Sequence, residues 1–121
     1  YNFVGENIYE SAKDVYMFRF LDFVKVKGKK IPVKVYELVT AKENADNNTV
    51  NMVKTFEEGL DHYYQQNWEK AISSFQKAES MEEQFTSRNT TPSAVYIERC
   101  SMFRENPPSK DWDGVWTMTS K

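Results

Sequence analysis

The chain has 121 residues, 40% hydrophobic, 28% charged and 15% aromatic, which suits one modest domain or two small pieces. Its net charge of −2 argues against a nucleic-acid protein defined by bulk basicity, and its one cysteine, Cys100, rules out an internal disulfide. No apolar run approaches the roughly 20 residues needed to span a bilayer, so no membrane contact is expected from this segment.

The charge is uneven. Residues 1–40 hold seven Lys/Arg against five Asp/Glu, and residues 41–121 hold nine against thirteen, so two pieces of different character are expected. A lone cysteine fits a reducing compartment, and a cytoplasmic location is expected. No apolar core follows a basic start, so no signal peptide is expected. The chain begins at Tyr1 rather than Met, and the natural protein is expected to extend upstream, where membrane or sensor segments have room.

In chain order, "GENIYESAKDVY" (5–16) predicts a short helix with Ile8, Ala12 and Val15 at helical spacing. From Phe18 the period changes to two. Phe18, Phe20, Val24 and Val26 fall on one face, and Leu21 and Phe23 on the other. After Gly28-Lys29-Lys30 the alternation resumes, with Ile31, Val33, Val35 and Val39 on one face and Tyr36 and Leu38 on the other. Two such runs around a glycine-containing turn predict a β-hairpin, with Pro32 at an edge or a strand start. The polar stretch at residues 41–50 reads as a linker.

Helix signals then take over for residues 51–106. Met52, Phe56, Leu60 and Tyr63 form one stripe; Trp68, Ala71, Ile72, Phe75 and Ala78 form a second, with Asn67 as its expected cap. A third helix enters through Thr91-Pro92 with Val95, Ile97, Cys100, Met102 and Phe103 as its apolar positions. Pro107-Pro108 ends it. The tail, residues 107–121, carries Trp112 and Trp116, and both are expected to dock. His62, the only histidine, has no ligand-spaced neighbours and is expected on a helix surface. Cys100 reads as a small core residue.

Gly59, Ala71, Phe75 and Ala78 put small and aromatic residues where two antiparallel helices cross. Residues 52–83 thereby resemble a tetratricopeptide repeat, whose period is about 34 residues. Thr55 stands where the repeat often has a large apolar residue, and Glu83 where it often has proline. Residues 92–106 would begin a second repeat. One and a half repeats bury no continuous core alone, so this segment is expected to lean on the hairpin, the tail or another chain.

"VKVKGKK" (24–30) has three readings on its residues alone. One is a solvated hairpin whose lysines blunt an exposed edge. A second is a small nucleic-acid contact, weakened by the absence of a stacking platform. The third is a phosphate corner, where an ammonium and a backbone N–H beside a glycine turn meet one anion.

The order of the pieces adds a resemblance. "ENIYESAKD" (6–14), "VKGK" (26–29) and "VYEL" (35–38) resemble the last part of a class III adenylate/guanylate cyclase catalytic domain. Gly5 and Glu6 stand where that family often has a serine cap. The helical segment and "NPPSKDWDGVW" (106–116) resemble the C-terminal extension of a group of bacterial cyclases. The resemblance implies an α+β chain: a helix and β-hairpin cut from a ferredoxin-like cyclase domain (1–40), a three-helix tetratricopeptide-like segment and a docked tryptophan-bearing tail. It implies that Lys27 contacts the triphosphate of ATP or GTP, in a parent enzyme that makes cyclic AMP or cyclic GMP with Mg2+ or Mn2+ as a homodimer. The family's metal-binding aspartates have no match among Asp14, Asp22, Asp46, Asp61, Asp111 and Asp113, so no catalytic or metal-binding residue and no bound cofactor are expected in this segment, which alone is expected to be inactive. The competing reading is a non-catalytic interaction module, with helices 51–106 holding a protein partner.

Overall fold

The computed structural model describes residues 3–25, 31–82 and 91–117. It is a mixed α+β chain that divides into two compact units: one runs to Ala45 and resumes at Asp113, and the other is Asp46–Trp112. The sequence-based cuts stand at residues 40, 50 and 106.

The first unit is a sheet with one short helix. β1 (Phe3–Val4), β3 (Val33–Ala41), β2 (Tyr16–Lys25) and β4 (Trp116–Thr117) lie side by side in that order. β2 pairs antiparallel with β3: Arg19 faces Glu37 and Phe20 faces Tyr36. β1 adds antiparallel to β3, and β4 adds parallel to β2. Pro32 immediately precedes β3, where it takes no ladder donor away. The turn residues 26–30 lie outside the described residues, and with them the face expected for Val26.

Two irregularities in the ladder correct the expected faces. Between Phe20 and Asp22, β2 advances two residues while β3 advances one. Such a bulge turns every later side chain over. Phe18 and Phe20 share the face of Leu38 and Tyr36, but Asp22 and Val24 lie with Val35 and Val33 on the opposite face. Strict alternation put Val24 with Phe18, because period two has no means of registering an inserted residue.

α1 (Glu6–Ala12) also differs from expectation. The stripe Ile8, Ala12, Val15 is not its packing face: Ile8 and Val15 are exposed, and Val15 lies in the turn beyond the helix. Tyr9 packs instead. Its ring stacks on Tyr36 at 4.0 Å and meets Phe18 edge-on at 5.3 Å. In two turns of helix one aromatic ring covers more apolar area than the small and branched residues beside it.

The second unit is three helices: α2 (Asn47–Tyr64), α3 (Trp68–Glu82) and α4 (Pro92–Glu105). α2 starts inside the stretch read as linker because Asp46 Oδ1 accepts the Thr49 N–H at 2.8 Å, a proper N-cap. The same backbone bond holds the Asp46 carboxyl below its ordinary value. Thr91 caps α4 in the same way, through the Ala94 N–H at 3.0 Å, with Pro92 at the first position. Asn67 does not cap α3 with its side chain, which donates to Gln65 Oε1; its carbonyl accepts from Ala71. The α2–α3 turn is closed by Asn67 N–H to His62 and Gln66 N–H to Tyr63, with Gln66 at φ 63° in the position that usually holds glycine.

The expected stripe of α2 is buried, as are Trp68, Ala71, Phe75 and Ala78 of α3. On α4 the expected Cys100 and Phe103 face inward but Val95 and Met102 do not. Tyr96 and Cys100 are buried and Phe103 is half-buried, at steps of four and three, while Val95 and Met102 are exposed. Residues 95 and 102 lie about 100° off that stripe. Burying each of Phe56, Tyr63 and Phe75 contributes roughly 1.5–3 kcal/mol.

Candidate functional site

The expected phosphate contact, Lys27, lies outside the described residues. The strand ends around it are described. Val24 and Lys25 close β2, and Ile31, Pro32, Val33 and Lys34 open the return. A cavity of about 490 Å3 lies beside them, lined by Gly5, Glu6, Asn7, Ile8, Phe23, Pro32, Val33 and Lys34. Lys34 and Glu6 pair across it at 3.7 Å. Both side chains are about half exposed, so the pair adds little to stability, and both remain reachable. Its lining is thus mixed, apolar at Ile8, Phe23, Pro32 and Val33 and charged at Glu6 and Lys34.

The hairpin that carries these ends is clamped by a pair that alternation alone does not reveal. Arg19 Nε and Nη2 both donate to Glu37 Oε1, at 3.0 and 2.5 Å, with both residues buried. They face each other directly in the ladder. The signal was present in the sequence: a hairpin centred on Gly28 sets Arg19, nine residues before, opposite Glu37, nine after. Above the other face Tyr36 meets Tyr9 and Phe20. Burial, followed by the nearby Glu6 carboxylate, pushes the Tyr36 phenol up from its ordinary value, so it stays protonated and neutral at neutral pH.

In the helical unit the close crossing expected at Gly59 is present. A Cβ there would stand 2.7–2.9 Å from three ring carbons of Phe75, so glycine is what lets the ring lie on the α2 backbone. Phe75 stacks on Tyr96 at 5.0 Å, and Phe56 meets both rings edge-on. Tail residue Trp112 docks here, with ring centroids 5.2 Å from Tyr63, 5.3 Å from Phe103 and 5.8 Å from Trp68. Gln66 Nε2 secures the same stretch by donating to the Ser109 carbonyl at 3.0 Å. Trp116, the other tail tryptophan, belongs to β4 in the sheet unit.

Burial pushes the Cys100 thiol up to about 12, which leaves it protonated and inert within the helical core. His62 is half-buried rather than on the surface, and its Nδ1 makes no hydrogen bond. Asp113 uses its Oδ1 to accept the Val115 N–H at 3.0 Å, a turn-forming role. Among the described residues no three His, Cys, Asp or Glu side chains gather where they would hold a metal ion. Among the described residues no helix is long and apolar enough to cross a membrane.

No family model and no solved structure matches the chain. One curated protein does: the terminal-differentiation-specific adenylate cyclase of Dictyostelium discoideum is 32% identical over 89 residues, 72% of this chain. The chain spans 4% of that relative's length. The similarity covers more residues than either compact unit contains by itself, and it points to a relationship between this chain and an adenylate cyclase.

Proposed function

We propose that the chain is the C-terminal part of a class III nucleotidyl cyclase, joining the last hairpin of a catalytic domain to a tetratricopeptide-like extension. The observation that carries this reading is the similarity to an adenylate cyclase over 72% of the chain. The antiparallel β2/β3 pair, with V-K-G-K between its strands, supports it. The parent converts ATP to cyclic AMP and pyrophosphate; GTP is the alternative substrate, since no base-selecting residue is matched here. Lys27 supplies fixed positive charge to the triphosphate, where negative charge grows on the departing pyrophosphate. The divalent metal is held by residues elsewhere in the parent, which works as a homodimer in intracellular signalling.

The test is Lys27→Ala in the full-length enzyme. A charge-assisted phosphate contact is worth roughly 1.5–3 kcal/mol, so kcat/KM falls by about a factor of ten or more. Unchanged kinetics would remove Lys27 from the site. The 121-residue chain by itself turns over no nucleotide with Mg2+ or Mn2+. A second reading, a tetratricopeptide-like interaction module whose hairpin is scaffold, is favoured by the aromatic packing of Phe56, Tyr63, Phe75 and Tyr96 within α2–α4. A full-length Lys27→Ala enzyme with normal kinetics, whose helices alone bind the partner, is the outcome that prefers it.

A further inference from the structure

α4 carries apolar side chains on two sides. One side is the inward stripe of Tyr96, Cys100 and Phe103. The other is Val95 and Met102, which are 41% and 46% exposed. They stand close to two helical turns apart, so their side chains lie one above the other along the helix. A surface helix needs one apolar stripe; a helix that is apolar on more sides is covered on more sides. Between Val95 and Met102, on the same flank, stand Glu98 and Arg99. Glu98 is exposed, and the Arg99 guanidinium lies 4.8 Å from the centre of the Tyr96 ring.

The order of these four residues bears on what covers them. α4 runs from Pro92 to Glu105, so its midpoint falls between Glu98 and Arg99. Val95 and Met102 are equidistant from that point. The sequence about it reads apolar, acidic, basic, apolar. An antiparallel two-fold pairing at the midpoint sets Val95 against the partner's Met102 and Glu98 against the partner's Arg99, and symmetry repeats both contacts. Opposite charges therefore meet twice. A parallel pairing would set each charge against its own kind, and would align the two helix dipoles unfavourably. The Tyr96 ring meets the face of the guanidinium, whose donors lie in its plane, so this contact positions Arg99 without competing for an ion pair.

We infer that α4 is a self-pairing surface, on which a second copy of this chain docks antiparallel through Val95, Glu98, Arg99 and Met102. Two open apolar side chains from each copy leave water, with the ion pairs between them. One helix from each copy buries less area than a stable dimer needs, so the contact is weak by itself. It closes readily in any assembly that already holds two copies together, because their effective concentration is then high. The pairing belongs to the helical unit and does not rest on the cyclase reading.

Sedimentation equilibrium of the whole chain tests it. The natural chain passes from monomer toward dimer as its concentration rises to about 1 mM, the range of weak contacts. Val95→Glu and Met102→Lys, each alone, place a charge against an apolar side chain of the partner and raise the dissociation constant about tenfold or more. Both changes in one chain set glutamate against lysine across the two-fold, and the dissociation constant returns to within about threefold of the natural value. Positions 95 and 102 are too far apart to pair within one helix, so this rescue reports the antiparallel contact alone. Glu98→Lys leaves every apolar side chain in place, sets lysine against the partner's Arg99, and weakens the dimer about threefold or more. Circular dichroism checks the helices of each variant; should a change at 95 or 102 unfold them, Glu98→Lys decides. A chain that stays monomeric up to about 1 mM overturns the pairing. So does a dimer that the single changes leave intact, since its contact lies on another surface. A double variant no tighter than the single ones overturns the antiparallel two-fold.

Discussion

The two units are stabilised in different ways. The helical unit fills its core with rings on small residues: Phe56, Tyr63, Phe75 and Cys100 are fully buried, and Gly59, Ala71 and Ala78 make room for them. The sheet unit has its largest fully buried side chain in a cation, Arg19, paired with Glu37. It leaves Phe3, Ile8, Val15 and Ile31 at least half exposed. One unit is specified by shape, the other by register. Shape packing suffers most from a missing ring, whereas a register pair suffers most from one missing partner.

The largest effects probe that contrast directly. Phe75→Ala removes a ring that touches Gly59, Phe56 and Tyr96, and destabilises the helical unit by about 3–5 kcal/mol. Nothing in the sheet unit restores it. Arg19→Met leaves the Glu37 carboxylate buried without its cation and also costs about 3–5 kcal/mol. Here a second change helps: Arg19→Met with Glu37→Leu recovers most of the loss, because a buried pair can be replaced by apolar side chains of similar volume. Urea unfolding of the three variants checks both statements. A double variant as unstable as Arg19→Met alone would show that Arg19 serves something besides the pair.

How much of this was legible follows the same division. The α2 stripe and the α3 positions were readable because a helix of 18 or 15 residues repeats its pattern several times. α1 was misread because seven residues allow one stripe to be exchanged for another, and a tyrosine outweighs an isoleucine in area. On α4 the inward position of Cys100 was readable, but its apolar residues are spread around the axis, so only packing shows that Tyr96 faces inward while Val95 and Met102 do not. The strand faces failed at the bulge beside Leu21, an insertion that no periodicity encodes. The antiparallel pairing of β2 with β3 was legible from alternation. The phosphate role of Lys27 came only from resemblance, since alternation and charge also describe a solvated turn.

A middle-sized effect is expected at Gly59. Alanine is the better helix former by about 1 kcal/mol, so propensity alone predicts a gain. The added Cβ would stand 2.7 Å from the Phe75 ring, a fully buried group packed on two sides. Overpacking of this kind costs about 1–3 kcal/mol, and the net change is a loss. A gain in the thermal midpoint of Gly59→Ala would mean that the two helices can move apart freely, and the shape-specified description of this unit would not hold.

The smallest effect is the sharpest comparison, because the same chemical change can be made in both units. Val15→Thr and Val53→Thr each exchange a methyl for a hydroxyl with little change in volume. Val15 is 61% exposed, in the turn after α1, and its new hydroxyl stays in water. Its effect lies within about 0.5 kcal/mol of zero. Val53 is 4% exposed on α2, in a helix interior where a hydroxyl loses water and gains at best a back-bond to its own helix. A loss of about 1–3 kcal/mol follows there. Denaturant midpoints of the two variants, measured side by side, should separate clearly. Equal and small losses would place Val53 at a wetter surface than its burial indicates, whereas equal and large losses would mean that the open apolar side chains of the sheet unit are covered in solution.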